Sequence, residues 1–165
     1  MTQANGGILA IDLGTKTGWA ARMPGGSVAS GMQNFKLGRF DGNGMQFVRF
    51  SAWVKEMTVK TGCRSVAYEE VRRHKGVDAA HAYGGYMGHL QSTLNGTNVP
   101  FEGIPVGTIK GFWLGRGGGK GSGKEEMIAE AKRRGFNPVD DNEADALALL
   151  HYVENRDQRN VGVAA

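Results

Sequence analysis

The chain has one cysteine, Cys63, only four prolines, and no apolar run approaching the roughly 20 residues that span a bilayer. A lone thiol excludes an internal disulfide and a cysteine-based zinc site, and fits a reducing compartment. The N-terminus lacks the basic-then-apolar pattern of a secretory signal, so the expectation is a soluble, cytoplasmic protein with no membrane partner. Acidic residues are outnumbered, 16 against 20 Lys and Arg, and the pI of about 9.3 favours a polyanionic partner. With 165 residues there is room for one domain, expected over 1–154, followed by a flexible C-terminal tail over 155–165. Glycine is abundant, at 27 residues, but it clusters at turns and in one loop and leaves the apolar segments intact.

Between those glycines the decisive stretch is Ile8 to Ala20, Ile-Leu-Ala-Ile-Asp-Leu-Gly-Thr-Lys-Thr-Gly-Trp-Ala. Ile8 to Leu13 is a short aliphatic run that reads as a central strand buried on both faces. Asp12 interrupts it. Burying an unpaired carboxylate costs several kcal/mol or more, so Asp12 requires a basic side chain, a metal ion, or a partly solvated place at the strand end. Gly14 and Gly18 bracket a polar turn, after which Trp19 to Arg22 can return as the second strand of a hairpin. Val28 to Leu37 supplies a third, edge-type strand.

Further along, Phe47, Val48, Phe50, Trp53, Val54 and Met57 recur at helical spacing up to Gly62. Their aromatics read as core against the sheet. Ser65 to Val71, Ser-Val-Ala-Tyr-Glu-Glu-Val, is a second apolar strand broken by acid, and strand alternation lets only one of Glu69 and Glu70 share a face with Asp12. Arg72, Arg73, His74 and Lys75 follow, either a phosphate-contacting run or a solvated one. Val77 to Leu94 reads as a helix with Ala80, Gly84 and Gly88 four apart, a smooth row suited to packing on the sheet or on a second copy. Pro100 to Val106 is a further strand, and Gly107 to Leu114 a short segment carrying Lys110.

Gly115 to Lys124 interleaves six glycines with Arg116, Lys120 and Lys124. Gly118 to Lys124 nearly fits a nucleotide-binding P-loop, but Glu125 stands where the metal-binding Ser or Thr should be and no strand leads in. A basic loop contacting nucleic acid, or a disordered linker, describes it better. Glu125 to Arg134 is an amphipathic helix. The last helix, announced by Asp140, Asp141 and Asn142, carries Asp145 amid alanines and leucines.

Asp12, Glu69 and Asp145 are thus three acids in three apolar elements. If their strands are adjacent and the last helix crosses the strand ends, the carboxylates converge on a site for Mg2+, which takes hard oxygen ligands. Asp141 and Asn142, four and three residues before Asp145, can share its helical face, whereas Glu143 should point elsewhere. Two ions about 3.5 to 4 Å apart in such a site activate water and stabilise the leaving oxygen in phosphodiester hydrolysis. Lys124 is placed to add charge at the reacting phosphate.

In order and spacing, Ile8 to Gly14, Val66 to Val71, the Lys- and Gly-rich loop, and Glu143 to Ala148 resemble the RuvC-type Holliday-junction resolvases of the RNase H-like superfamily. The resemblance implies an α/β fold with a mixed five-stranded sheet and helices on both faces. It further implies a homodimer making paired nicks in four-way DNA junctions and other branched DNA, with Mg2+ as cofactor and Mn2+ as substitute. Asp12, Glu69 and Asp145 become the metal ligands, with Asp141, or else Asn142, as the fourth, and Asp12, Glu69, Asp145 and Lys124 the catalytic set. Arg72, Arg73, Lys75, Lys110, Arg116, Lys120 and Lys124 become the DNA contacts. Asn142 stands where bacterial members commonly have an acid or His, and the longer basic loop suggests a phage-like relative. A YqgF-type RNA nuclease, which Asp12-Leu13-Gly14-Thr15-Lys16 resembles, and a branched-DNA-binding module with weakened catalysis are the alternatives. Asp-Leu-Gly-Thr also opens the actin-like ATPases, but those need a second domain.

Overall fold

The computed structural model describes residues 7–115 and 123–163. Five strands, β1 (Ile8–Asp12), β2 (Lys16–Arg22), β3 (Val28–Asn34), β4 (Ser65–Glu70) and β5 (Phe101–Pro105), form one sheet in the order β3-β2-β1-β4-β5. The hairpin strand β2 runs antiparallel to β1 and β3, whereas β4 and β5 run parallel to β1. The helices are α1 (Met45–Thr61), α2 (Val77–Asn95), α3 (Val106–Leu114), α4 (Lys124–Arg133) and α5 (Asp141–Val163). The RNase H-like architecture implied by the resemblance is therefore present: a mixed five-stranded sheet covered on both faces.

Strand alternation sorts the core into two layers. Ile8, Ala10, Ala20, Ala67 and Ile104 face α3, α4 and α5, while Leu9, Ile11, Ala21, Val66 and Tyr68 face α1 and α2. Asp12 and Glu69 continue the first set, so their side chains project toward α5. Small residues on that face, Ala10, Ala20 and Ala67, let the alanine-rich side of α5 lie close to the sheet. The closest approach is at Gly18, where an added Cβ would collide with the backbone carbonyl of Asn142. Gly18→Ala should therefore push the start of α5 off the sheet, at a cost of about 1–3 kcal/mol, readable as a lower urea midpoint.

Two boundaries and one packing face differ from the sequence reading. β3 ends at Asn34 and not at Leu37; the Phe35 amide still donates to the Thr15 carbonyl at 2.8 Å, and its ring packs edge-on against Phe50 and Trp53. The small-residue row of α2 does not pack on the sheet: Gly84 and Gly88 are exposed with nothing near them, and Tyr83, Tyr86 and Leu90 face inward instead. The expected tail over 155–165 is helical as far as Val163. Glu154 takes a bidentate pair from Arg22 at 2.7 Å, and Arg156 reaches Glu102 at 2.6 and 2.8 Å, so this polar segment is tied to β2 and β5.

Candidate active site

β1 and β4 are in register through Ile11 and Tyr68, so Asp12 and Glu69 stand side by side one step further, at the carboxyl ends of neighbouring parallel strands. After Asp12 the chain turns sharply, and the buried Thr17 hydroxyl fastens the turn by donating to the Gly14 carbonyl at 2.6 Å. At the end of β4 the Tyr83 hydroxyl from α2 accepts from the Val71 amide at 3.1 Å and donates to the Glu69 carbonyl at 2.9 Å. Glu69 is thereby held at a fixed backbone position. Asp145 comes from the first turns of α5, and each of Asp12, Glu69 and Asp145 offers a carboxylate oxygen within 4.8 Å of the other two.

Sequence reasoning missed the residue that sets α5 in place. Glu143 points away from the triad, as expected, but it is buried at 6% exposure and fully engaged. Its Oε1 accepts from the Ser30 hydroxyl at 2.7 Å and its Oε2 from the Val139 amide at 2.8 Å, while its own N–H donates to Asp140 Oδ1 at 3.0 Å. This is a variant of the reciprocal cap in which an acid three residues into a helix secures the residues before it. The spacing Asp140-x-x-Glu143 was the available signal. Asn142, through its side-chain amide, donates to Asp140 Oδ2 at 3.0 Å and so belongs to the same cap.

Electrostatically the triad is frustrated. Burial, then the charge and hydrogen bond of Glu69, then Asp145 and Asp141, hold the Asp12 carboxyl well above its usual range. Burial and Glu69 push Asp145 up to about 7, against the opposing pull of Lys110 and Lys124. Its Oδ1 is buried without a hydrogen-bond partner. Among the described residues no Lys or Arg forms an ion pair with Asp12, Glu69 or Asp145. Three close, unneutralised carboxylates, one with an orphaned oxygen, fit a hard divalent cation and little else.

Of the four expected ligands, the triad gathers three. Asp141 borders it and pairs through Oδ2 with Lys124 Nζ at 2.7 Å; this contact raises the lysine pKa, and Lys124, 79% exposed, remains accessible at the start of α4. Lys110, half-buried on α3, lies close enough to lower the Asp145 pKa. Arg72, Arg73 and Lys75 are exposed in the segment after β4, at the same end of the sheet, with Arg72 in a loose 3.4 Å contact to Glu70. Arg116 and Lys120 lie outside the described residues.

No protein-family model and no curated protein matches this sequence. Solved structures match in fold. Thermus thermophilus RuvC superimposes with a TM-score of 0.72 at 20% identity, over 93% of this chain and 96% of its own. T. thermophilus RuvC in complex with a Holliday junction substrate gives 0.70 at 21% identity, over 88% of this chain and 91% of its own. The yeast mitochondrial Holliday junction resolvase Ydc2 gives 0.54 at 12% identity, over 88% and 76%.

Proposed function

We propose that this chain is a divalent-metal-dependent endonuclease that resolves four-way DNA junctions, and related branched DNA, by phosphodiester hydrolysis. The carrying observation is the un-neutralised triad of Asp12, Glu69 and Asp145 at the strand ends of a RuvC-like fold. When bound there, Mg2+ or Mn2+, as a pair of ions, would polarise the attacking water and offset charge on the phosphate. Asp12, Glu69 and Asp145 hold the cations, with Asp141 as a further candidate ligand. Lys124 faces the phosphate, and Arg72, Arg73, Lys75 and Lys110 line the same end of the sheet as contacts for the DNA backbone. Arg116 and Lys120 extend that set in sequence.

Paired nicking requires two sites, and a homodimer supplies them. The exposed small-residue row of α2, Gly84 and Gly88 with the uncovered Val77, is a smooth surface on which two copies can approach closely. No described helix is long and apolar enough to cross a membrane.

The test is cleavage of a synthetic four-way junction beside linear duplex and an RNA hairpin of equal length. Preferential nicking of the junction in Mg2+ supports the assignment. Equal cutting of duplex, or preference for RNA, rejects it and favours an RNA-processing role. Lys124→Ala adds a second check. Losing this cation should slow nicking by about tenfold or more, and it should move the acid limb of the pH profile upward, because Lys124 lowers the Asp145 pKa. A change confined to the salt dependence of binding would make Lys124 a phosphate contact only.

A further inference from the structure

Phe40 is 93% exposed, although full burial of such a side chain is worth about 1.5–3 kcal/mol. It does not sit on a slack loop. Residues 35–44 connect β3 to α1, and within them Gly38 to Asp41 forms a closed turn: the Asp41 amide donates to the Gly38 carbonyl at 3.2 Å and Asp41 Oδ2 accepts from the Gly38 amide at 2.6 Å. Arg49 of α1 clamps the same carboxylate with two bonds of 2.6 and 2.7 Å. The two central residues of this pinned turn, Arg39 and Phe40, are both exposed. The fold thus holds an aromatic ring in water at a fixed place, where it contributes nothing to the core.

That place is the carboxylate end of the sheet. Asn34, the last residue of β3, pairs with Lys16, and the Phe35 amide donates to the Thr15 carbonyl at 2.8 Å, in the turn that follows Asp12. β3 lies two strands from β1, a lateral offset of roughly 10 Å, or a few nucleotides of DNA. The surroundings are cationic. The Arg39 guanidinium lies 5.6 Å from the centre of the Phe40 ring, and Lys36 is exposed nearby. An exposed ring with a cation over it and basic residues beside it is the chemistry that receives an unstacked nucleobase next to its phosphate.

We propose that Phe40 is a stacking platform for a nucleobase displaced at the branch point, with Arg39 holding the adjoining phosphate. This rests on the junction reading given above. Apolar contact with another protein would not call for the flanking cations.

The test measures binding, in Ca2+ to suppress cutting, of the whole protein to a four-way junction and to linear duplex. The junction series carries 2-aminopurine at each branch-point nucleotide in turn. Phe40→Ala should weaken junction affinity roughly ten- to a hundredfold, leave duplex affinity unchanged, and abolish the 2-aminopurine signal seen at one position with the native chain. Phe40→Trp should restore both, and Phe40→Leu, apolar but unable to stack, should not. A native chain that prefers the junction while Phe40→Ala binds it equally well overturns the role of Phe40 and leaves the nuclease assignment standing. A native chain with no junction preference overturns both. Loss of oligomeric state in Phe40→Ala by sedimentation would assign the ring to a contact between copies and overturn the proposal.

Discussion

Asp12→Asn is expected to lower junction cleavage by about a thousandfold or more while leaving junction binding intact. The two halves of this result have separate causes. Asp12 occupies the shared end of β1 and β4, where Glu69, Asp145 and Asp141, all of its own sign, hold its pKa up, while Lys124, which feels its charge, is paired with Asp141 instead. Among the described residues Asp12 forms no ion pair with a Lys or Arg, so its charge can be removed without stranding a paired counter-charge. The amide is isosteric with the acid, and the surrounding basic residues that would contact DNA are untouched. The same exchange should raise the melting temperature of the metal-free protein at neutral pH, because it removes one member of a repelling group. If binding disappears with cleavage, or if the variant melts earlier, Asp12 is a structural residue and the metal site is misassigned.

The second large effect is an inverted dependence of stability on pH. Asp145 titrates near 7 in the folded chain against an ordinary 3.8, so between those values the folded state holds a proton that the unfolded state has released. Stability then falls as pH rises across that window, by up to about 4 kcal/mol from this group. Asp12, raised in the same direction by burial and by the charge and hydrogen bond of Glu69, deepens the fall. Urea unfolding in EDTA should give a higher midpoint at about pH 5 than at about pH 8. Mg2+ or Mn2+ should erase the difference, since a cation that binds only the folded state stabilises it by roughly 3 kcal/mol at a hundredfold excess over its dissociation constant. Asp145→Asn should flatten the profile with no cation present. A flat profile in the native chain would mean that the carboxylates are neutralised by some other group.

The triad was legible because an acid inside an aliphatic strand or an alanine-leucine helix has few affordable environments. Asp12, Glu69 and Asp145 each posed the same problem, and the order β1-β4 with α5 across the ends solves all three together. Alternation required that only one of Glu69 and Glu70 share a face with Asp12, and Glu69 is that residue. The residues that resisted reading are those whose partners lie far away in sequence. Arg156 looks like solvated tail until Glu102, 54 positions earlier, is found beside it. Glu143 was placed off the triad's face, but its engagement by Ser30, 113 residues away, has no local signature. Phe40 was invisible for a different reason. Periodicity reveals which side chains are buried together, and it is silent on a ring that a turn holds in the open. The α2 glycines misled because small residues permit close approach without supplying the neighbour.

The strain gathered at the strand ends also has a bearing on how such a sequence drifts. Since most sequences sit only a little above the stability they need, a position where one substitution both tightens the fold and silences the chemistry is a downhill exit from enzyme to scaffold. Under the proposed function, Asp145, with its orphaned oxygen, and Asp12 are two such positions. On the nuclease reading proposed above, descendants released from selection for cutting should therefore lose a carboxylate at one of these two places early, and persist as sturdier proteins with the same fold.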